Sequence, residues 1–88
     1  MATEIRRSVM KFAEAMEEKL RANEHKKGWA DCASLDLLVK LIKAKNELIV
    51  AVEETEDPVA IRTEAVDVAN YCMMLFEISE DTEVDNGE

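Results

Sequence analysis

Residues 35–54 read LDLLVKLIKAKNELIVAVEE, and this stretch decides the fold class. Leu38, Leu41, Ile42, Leu48, Ile49 and Val52 recur at the steps that gather side chains onto one side of an α-helix. Leu37, Ala44, Val50 and Ala51 widen that face until most of the circumference is apolar. A helix of this kind belongs inside a bundle. One 88-residue chain supplies too few partner helices to cover it, so the sequence predicts self-association, with a homodimer or homotetramer as the expected unit.

Working outward, the segment from about residue 3 to Ala22 places Ile5, Val9, Phe12, Ala13, Met16 and Leu20 on one stripe, with charge on the other face. Glu17 and Arg21, four apart, read as a solvated ion pair on that outer face. The pattern breaks over Asn23 to Ala33. Gly28 is the residue there most able to end a helix, and Ser34 or Asp31 is able to cap the next one. The second helix is expected from about Leu35 to Glu54. After it, Asp57-Pro58 joins a capping side chain to a proline that fits a first helical turn. A third helix is expected from there to about Ser79, with Val59, Val66, Ala69, Met73 and Phe76 inward. From Glu77 onward there are six acids and no basic residue, a composition that predicts a frayed or disordered tail. Residues 1–79 therefore read as one all-α domain and 80–88 as an acidic tail.

Composition supports this. Hydrophobic residues are 48% of the chain but aromatics only 5%, and there are two Gly and one Pro, which favours a few long helices over many short strands. The net charge of −9 is unevenly spread. Residues 1–45 carry ten basic and seven acidic groups, whereas residues 46–88 carry one basic and thirteen acidic. An acidic second half disfavours direct nucleic-acid binding, which needs clustered cations, and suits divalent cations held by carboxylate oxygen. Cys32 and Cys72 form no CxxC or Cys/His cluster, so free thiols and a reducing, cytoplasmic setting are expected. No window reaches eighteen apolar residues and no signal-like N-terminal segment is visible, so no membrane partner is expected.

The chemistry concentrates on the third helix. Glu64 and Asp67 are three apart and share a face, which makes them a workable pair for a divalent cation. Asn70, three further along, adds an amide that can hydrogen-bond a base, sugar or phosphate. Glu47 supplies a third carboxylate if the second and third helices pack antiparallel. Acid pairs at this spacing are more often plain solvated surface.

The runs Phe12-Ala13-Glu14-Ala15-Met16-Glu17-Glu18-Lys19-Leu20, His25-Lys26-Lys27-Gly28-Trp29 and Glu64-Ala65-Val66-Asp67-Val68-Ala69-Asn70, in this order, resemble the small MazG-like nucleotide pyrophosphohydrolases often carried by phages. That resemblance spans roughly Met10 to Met74. It implies an all-α protein that cleaves nucleoside triphosphates to monophosphate and pyrophosphate with Mg²⁺ (or Mn²⁺). It implies Glu47, Glu64 and Asp67 as metal ligands, with a carboxylate, Glu47, taking the proton of an attacking water. It also implies Asn70 as a residue near the substrate; Lys26 and Lys27 read either as solvated loop residues or as contacts to phosphate, and Trp29 either as packing over the helix ends or as stacking on a nucleobase. The family's Glu-Glu-x-x-Glu motif is broken here: Lys43 and Ala44 stand where its first two acids belong, and only Glu47 survives. Lys43, one turn before Glu47, is expected to bring an ammonium to the carboxylates. Glu53 or Glu54 offers a route to compensating ligands.

Two functions from different classes follow. One is a nucleotide-directed protein of MazG-like ancestry, either an active pyrophosphohydrolase or a catalytically weakened relative that binds nucleotides. The other is a non-enzymatic helical interaction module. His25, without an identifiable acid partner, reads as an ordinary loop residue.

Overall fold

The computed structural model describes residues 4–24, 28–29 and 32–86, with side chains up to residue 80. Among them the chain is all-helical: α1 spans Arg7–Ala22, α2 spans Ser34–Val50, a π-helical turn covers Ala51–Thr55, and α3 spans Pro58–Asn86. No described helix is long and apolar enough to cross a membrane.

The ends of α1 follow from its terminal residues. Its N-cap position is Arg6, which makes no side-chain cap bond, and no acid lies in the first turn. Two arginines therefore face the positive end of the helix dipole, an unfavourable start that leaves residues 4–6 outside the helix. At the other end Asn23, rather than Gly28, closes the helix. Its side-chain Nδ2 donates to the Lys19 carbonyl at 3.1 Å, and Lys19 and Arg21 stand favourably in the last turn. The expected Glu17–Arg21 pair is present on the exposed face at 2.8 Å.

α2 begins one residue earlier than the sequence suggests. Ala33 is its N-cap and makes no side-chain bond, so Ser34 is the first helical residue and not the cap. Asp31, the alternative cap, lies outside the described residues. At its far end the helix widens instead of continuing to Glu54. The Glu56 N–H donates five residues back to the Ala51 carbonyl at 2.9 Å, while Thr55 Oγ1 donates to the same carbonyl at 2.7 Å. Glu56 then takes a left-handed φ of 53°, which reverses the chain at the cost that a Cβ pays in this region.

Asp57 starts α3 as expected: the Val59 N–H donates to its Oδ1 at 3.1 Å, and Pro58 occupies the first helical position, where a missing N–H costs nothing. The helix runs on to Asn86 rather than ending near Ser79. Neither Gly nor Pro interrupts the chain between Pro58 and Gly87, so nothing in the backbone chemistry forces a stop.

α3 is the central element. It packs along α2 in an antiparallel hairpin and also carries α1, which among the described residues touches no other helix. The buried seam of α2 is Leu37, Ala44 and Ala51, spaced by sevens, which is the spacing of a close helix–helix line. Val66 is the buried hydrophobic residue of α3 among the described residues. The small side chains at Ala44 and Ala51 let the two backbones approach. The seam is thus the edge of the apolar face that the sequence placed second, while Leu38, Ile42, Ile49 and Val52 point to solvent with Leu35 and Val39. α1 has no buried residue at all; its Val9 and Phe12 are exposed, as is Ile5 just before it.

Consequently the chain is open. Its accessible surface is 7124 Å², whereas a compact monomer of 9.9 kDa exposes roughly 5,200 Å². The radius of gyration, 14.9 Å, likewise exceeds the roughly 12 Å of a compact domain of this length.

Candidate functional site

Three residues on successive turns of α3 look toward its two neighbours: Glu64 and Asp67, half-buried, and Asn70, buried. Glu64 reaches α2, whereas Asp67 and Asn70 both reach α1. The antiparallel hairpin brings Glu47 of α2 to Glu64, as the sequence suggested, although Glu47 itself lies at the exposed margin of the helix pair. From the other side α1 brings Lys19, whose Nζ sits 3.0 Å from Asp67 Oδ1. One turn earlier, the Met16 carbonyl accepts a hydrogen bond from Asn70 Nδ2 at 3.4 Å.

Glu64 is the electrostatic centre of the group. Burial raises its pKa from the ordinary glutamate value, and the negative charges of Asp67 and Glu47 raise it further. The Lys19 ammonium pulls the other way, and a hydrogen bond with Glu47 favours the protonated acid. Glu64 Oε1 is buried with no hydrogen-bond partner among the described residues. Of the charged groups that act on Glu64, two are carboxylates and one, Lys19, is a cation.

That cation is not the expected one. Lys43 is exposed and has no ion-pair partner among the described residues. Sharing a helix side with Glu47 does not carry its ammonium to α3, because Lys43 lies further round α2 from the seam. Lys19 does the neutralising instead. Its sequence signal is faint: it borders the Met16 and Leu20 stripe on a helix that otherwise turns its charges outward. Glu53 and Glu54 fall in the π-helical turn and are not among the groups acting on Glu64, so they bring no compensation to this site.

Beyond Asp67 the surface sinks into a cavity of about 520 Å³ between α1, α3 and the start of α2. Lys19, Trp29, Lys40, Asp67, Asn70 and Tyr71 form its wall. Trp29 is held across the fold, its Nε1 donating to Glu77 Oε1 at 2.8 Å, so the indole is both a brace between the loop and α3 and a flat wall of the cavity. Lys26, Lys27 and His25 lie outside the described residues. Cys32, half-buried, and Cys72, exposed, are free thiols.

Comparison with protein-family models, curated proteins and solved structures returns no match. The site must therefore be read from its own chemistry. It offers a carboxylate cluster partly neutralised by Lys19, a buried amide, and an aromatic-walled cavity. Glu64 has room for a cation in the electrostatic sense. Yet Asp67 already bears an ammonium, and no group of three or more Asp, Glu, His or Cys among the described residues is arranged to hold a metal ion.

Proposed function

We propose that the chain is a nucleotide-binding protein of MazG-like ancestry, weakened as a pyrophosphohydrolase, that takes its ligand in the cavity walled by Trp29, Asn70 and Tyr71. The observation carrying this reading is that Asp67 and Asn70, the two later residues of the Glu64–Asp67–Asn70 face of α3, line that cavity. A flat apolar wall and a polar floor in one pocket of this volume suit a small heterocyclic ligand with a charged end. Lys19 and Lys40 are the described cations on its wall and would meet a phosphate. Lys26 and Lys27 remain candidates for the same role.

Metal-assisted hydrolysis is less well served. Glu47, Glu64 and Asp67 are neighbours but do not converge as a ligand set, so Mg²⁺ or Mn²⁺ would have to draw Lys19 off Asp67 before these oxygens could hold it. When bound, such an ion would polarise phosphate oxygen and lower the pKa of a water, and Glu47, the exposed acid, would be the group left to accept a proton. Cleavage of triphosphate to monophosphate and pyrophosphate is accordingly expected to be slow.

A second copy of the chain is the proposed cover for the uncovered helix faces. Excess exposed surface of roughly 1,900 Å² over a compact monomer exceeds the roughly 800 Å² per partner that a stable interface buries. The exposed residues Leu35, Leu38, Ile42 and Ile49 line one side of α2. An interaction module that uses this face for an unrelated protein is the competing function.

The test is a thermal-shift panel of ribo- and deoxynucleoside triphosphates, with and without Mg²⁺, paired with pyrophosphate release at high protein concentration. Binding at a hundredfold excess over Kd raises stability by about 2.7 kcal/mol. Nucleotide-dependent stabilisation with little release is the expected outcome. A flat panel would reject nucleotide binding and favour the interaction module.

A further inference from the structure

Resting on the reading that a second copy covers the exposed helix faces, we propose that two copies pair through the outer face of α2, with their α2 helices antiparallel. The spacing of that face is the first observation. Leu35, Leu38, Ile42, Lys45, Ile49 and Val52 follow one another at steps of three and four, the alternation of a coiled-coil seam. All six are exposed. The inner seam of Leu37, Ala44 and Ala51 is buried against α3, the only other α-helix packed on α2 among the described residues. At 3.6 residues per turn the two seams lie roughly a third of a turn apart around α2. A further helix can therefore pack on the outer seam without displacing α3.

Area and charge identify the occupant and its direction. The exposed surface exceeds that of a compact monomer by roughly 1,900 Å², more than the roughly 800 Å² that one partner contributes to a stable interface. A second copy brings a seam of the same spacing to meet it. Residues 34–45 carry three lysines and one acid, whereas residues 46–57 carry five acids and no basic residue. A parallel pair would set each half against its like. An antiparallel pair sets the lysine half of each copy beside the acidic half of the other and opposes the two helix dipoles. It also brings Glu53 and Glu54 to the start of the other α2, where Ala33 makes no side-chain cap bond and negative charge is favourable.

Centring the pair between Lys43 and Ala44 aligns all six positions. Leu35 of one copy then lies opposite Val52 of the other, Leu38 opposite Ile49, and Ile42 opposite Lys45. Lys45 is the one charged residue in the seam, and it has no ion-pair partner among the described residues. Its aliphatic stem lies on Ile42 while the ammonium reaches water at the edge, and a lone polar residue in such a seam fixes register at a cost in stability.

Disulfide trapping reads the direction. Leu38→Cys and Ile49→Cys are prepared separately in a Cys32→Ser, Cys72→Ser background, which removes the native free thiols. In the antiparallel pair each introduced thiol is roughly 16 Å along the axis from its own counterpart and beside the other position. An equal mixture of the two variants should therefore crosslink on mild oxidation, and neither variant alone should. Sedimentation equilibrium of the unaltered chain should show a reversible dimer, which Ile42→Glu, a change at an exposed position, should weaken about 30-fold or more with helicity retained. A chain that stays monomeric at every concentration overturns both this proposal and the second-copy reading. A dimer that Ile42→Glu leaves unchanged, whose mixed variants do not crosslink, or whose single variants crosslink to themselves overturns the proposal alone, leaving the second copy on another face or in the parallel direction.

Discussion

Replacing Lys19 by Met keeps the length of the aliphatic stem and removes the ammonium that neutralises the α3 carboxylates. At 3.0 Å from Asp67 the gross attraction is about 5 kcal/mol at an effective dielectric of about 20. Both side chains retain solvent access, 38% for Lys19 and 27% for Asp67, so desolvation, side-chain entropy and screening bring the net value to about 1 kcal/mol. Losing it also exposes Asp67, Glu64 and Glu47 to one another, because Lys19 is the group that lowers the Glu64 pKa. The variant should therefore be destabilised by about 1–2 kcal/mol near neutral pH, a fall in Tm of roughly 4–16 °C for a domain of this size. Lowering the pH until the carboxylates protonate should shrink the difference. The freed oxygens should also bind Mg²⁺ or Mn²⁺ more tightly, so millimolar metal should restore more stability to the variant than to the unaltered protein. Melts at neutral and acid pH, each with and without metal, read all of these effects. A variant as stable as the parent at neutral pH, with no greater metal response, would refute the view that Lys19 occupies a cation position among these carboxylates.

Three further substitutions bear on the same framework. Because the Glu64 pKa is raised in the folded chain, folding takes up a proton between the unfolded value near 4.5 and the folded value. Its contribution is fully favourable below that window and is lost as pH rises through the folded pKa. Glu64→Gln should thus stabilise the protein at neutral pH and flatten its stability across mildly acidic pH in urea titrations; a loss of stability at neutral pH would contradict this assignment. Glu56→Gly removes a Cβ from a φ of 53° and should raise stability by about 0.5–1 kcal/mol after the unfolded-state entropy is offset, whereas a lower denaturation midpoint would count against left-handed strain there. Leu37→Ala, at the most buried side chain of the seam, should cost about 2–5 kcal/mol and unfold much of the chain by circular dichroism. A near-neutral result would mean that the α2–α3 seam lies elsewhere.

Helix existence was legible because periodicity reports the facing of side chains over many residues, and Asp57-Pro58 marked its boundary because cap and proline chemistry is local. What was not legible was which face of a nearly all-apolar helix meets its own chain. Hydrophobicity ranks Leu38, Ile42 and Ile49 above Ala44 and Ala51, but close helix contact favours small side chains, and the seam formed on Leu37, Ala44 and Ala51. The end of α3 was misjudged for a related reason: acidity argues against burial, yet it does not break a helix that holds no Gly and no Pro beyond its first residue. At the site, the Glu64, Asp67 and Asn70 alignment was a matter of helical spacing alone, and Glu47 followed from the antiparallel hairpin. Lys19 could not be found in this way. Its partner is 48 residues away in sequence, and the pairing depends on how α1 lies across α3. Lys43, chosen for its proximity in sequence to Glu47, turned to solvent.

Trp29 is the sole tryptophan of the chain and a wall of the cavity, so its fluorescence reports directly on whether a nucleotide enters there. Titrating cytidine or adenosine triphosphate, with and without Mg²⁺, should give a saturable change in emission from the native protein and none after denaturation in urea. Emission that stays flat, or changes only linearly with added nucleotide as absorption alone would produce, would contradict a nucleotide-binding cavity at Trp29 and Asn70.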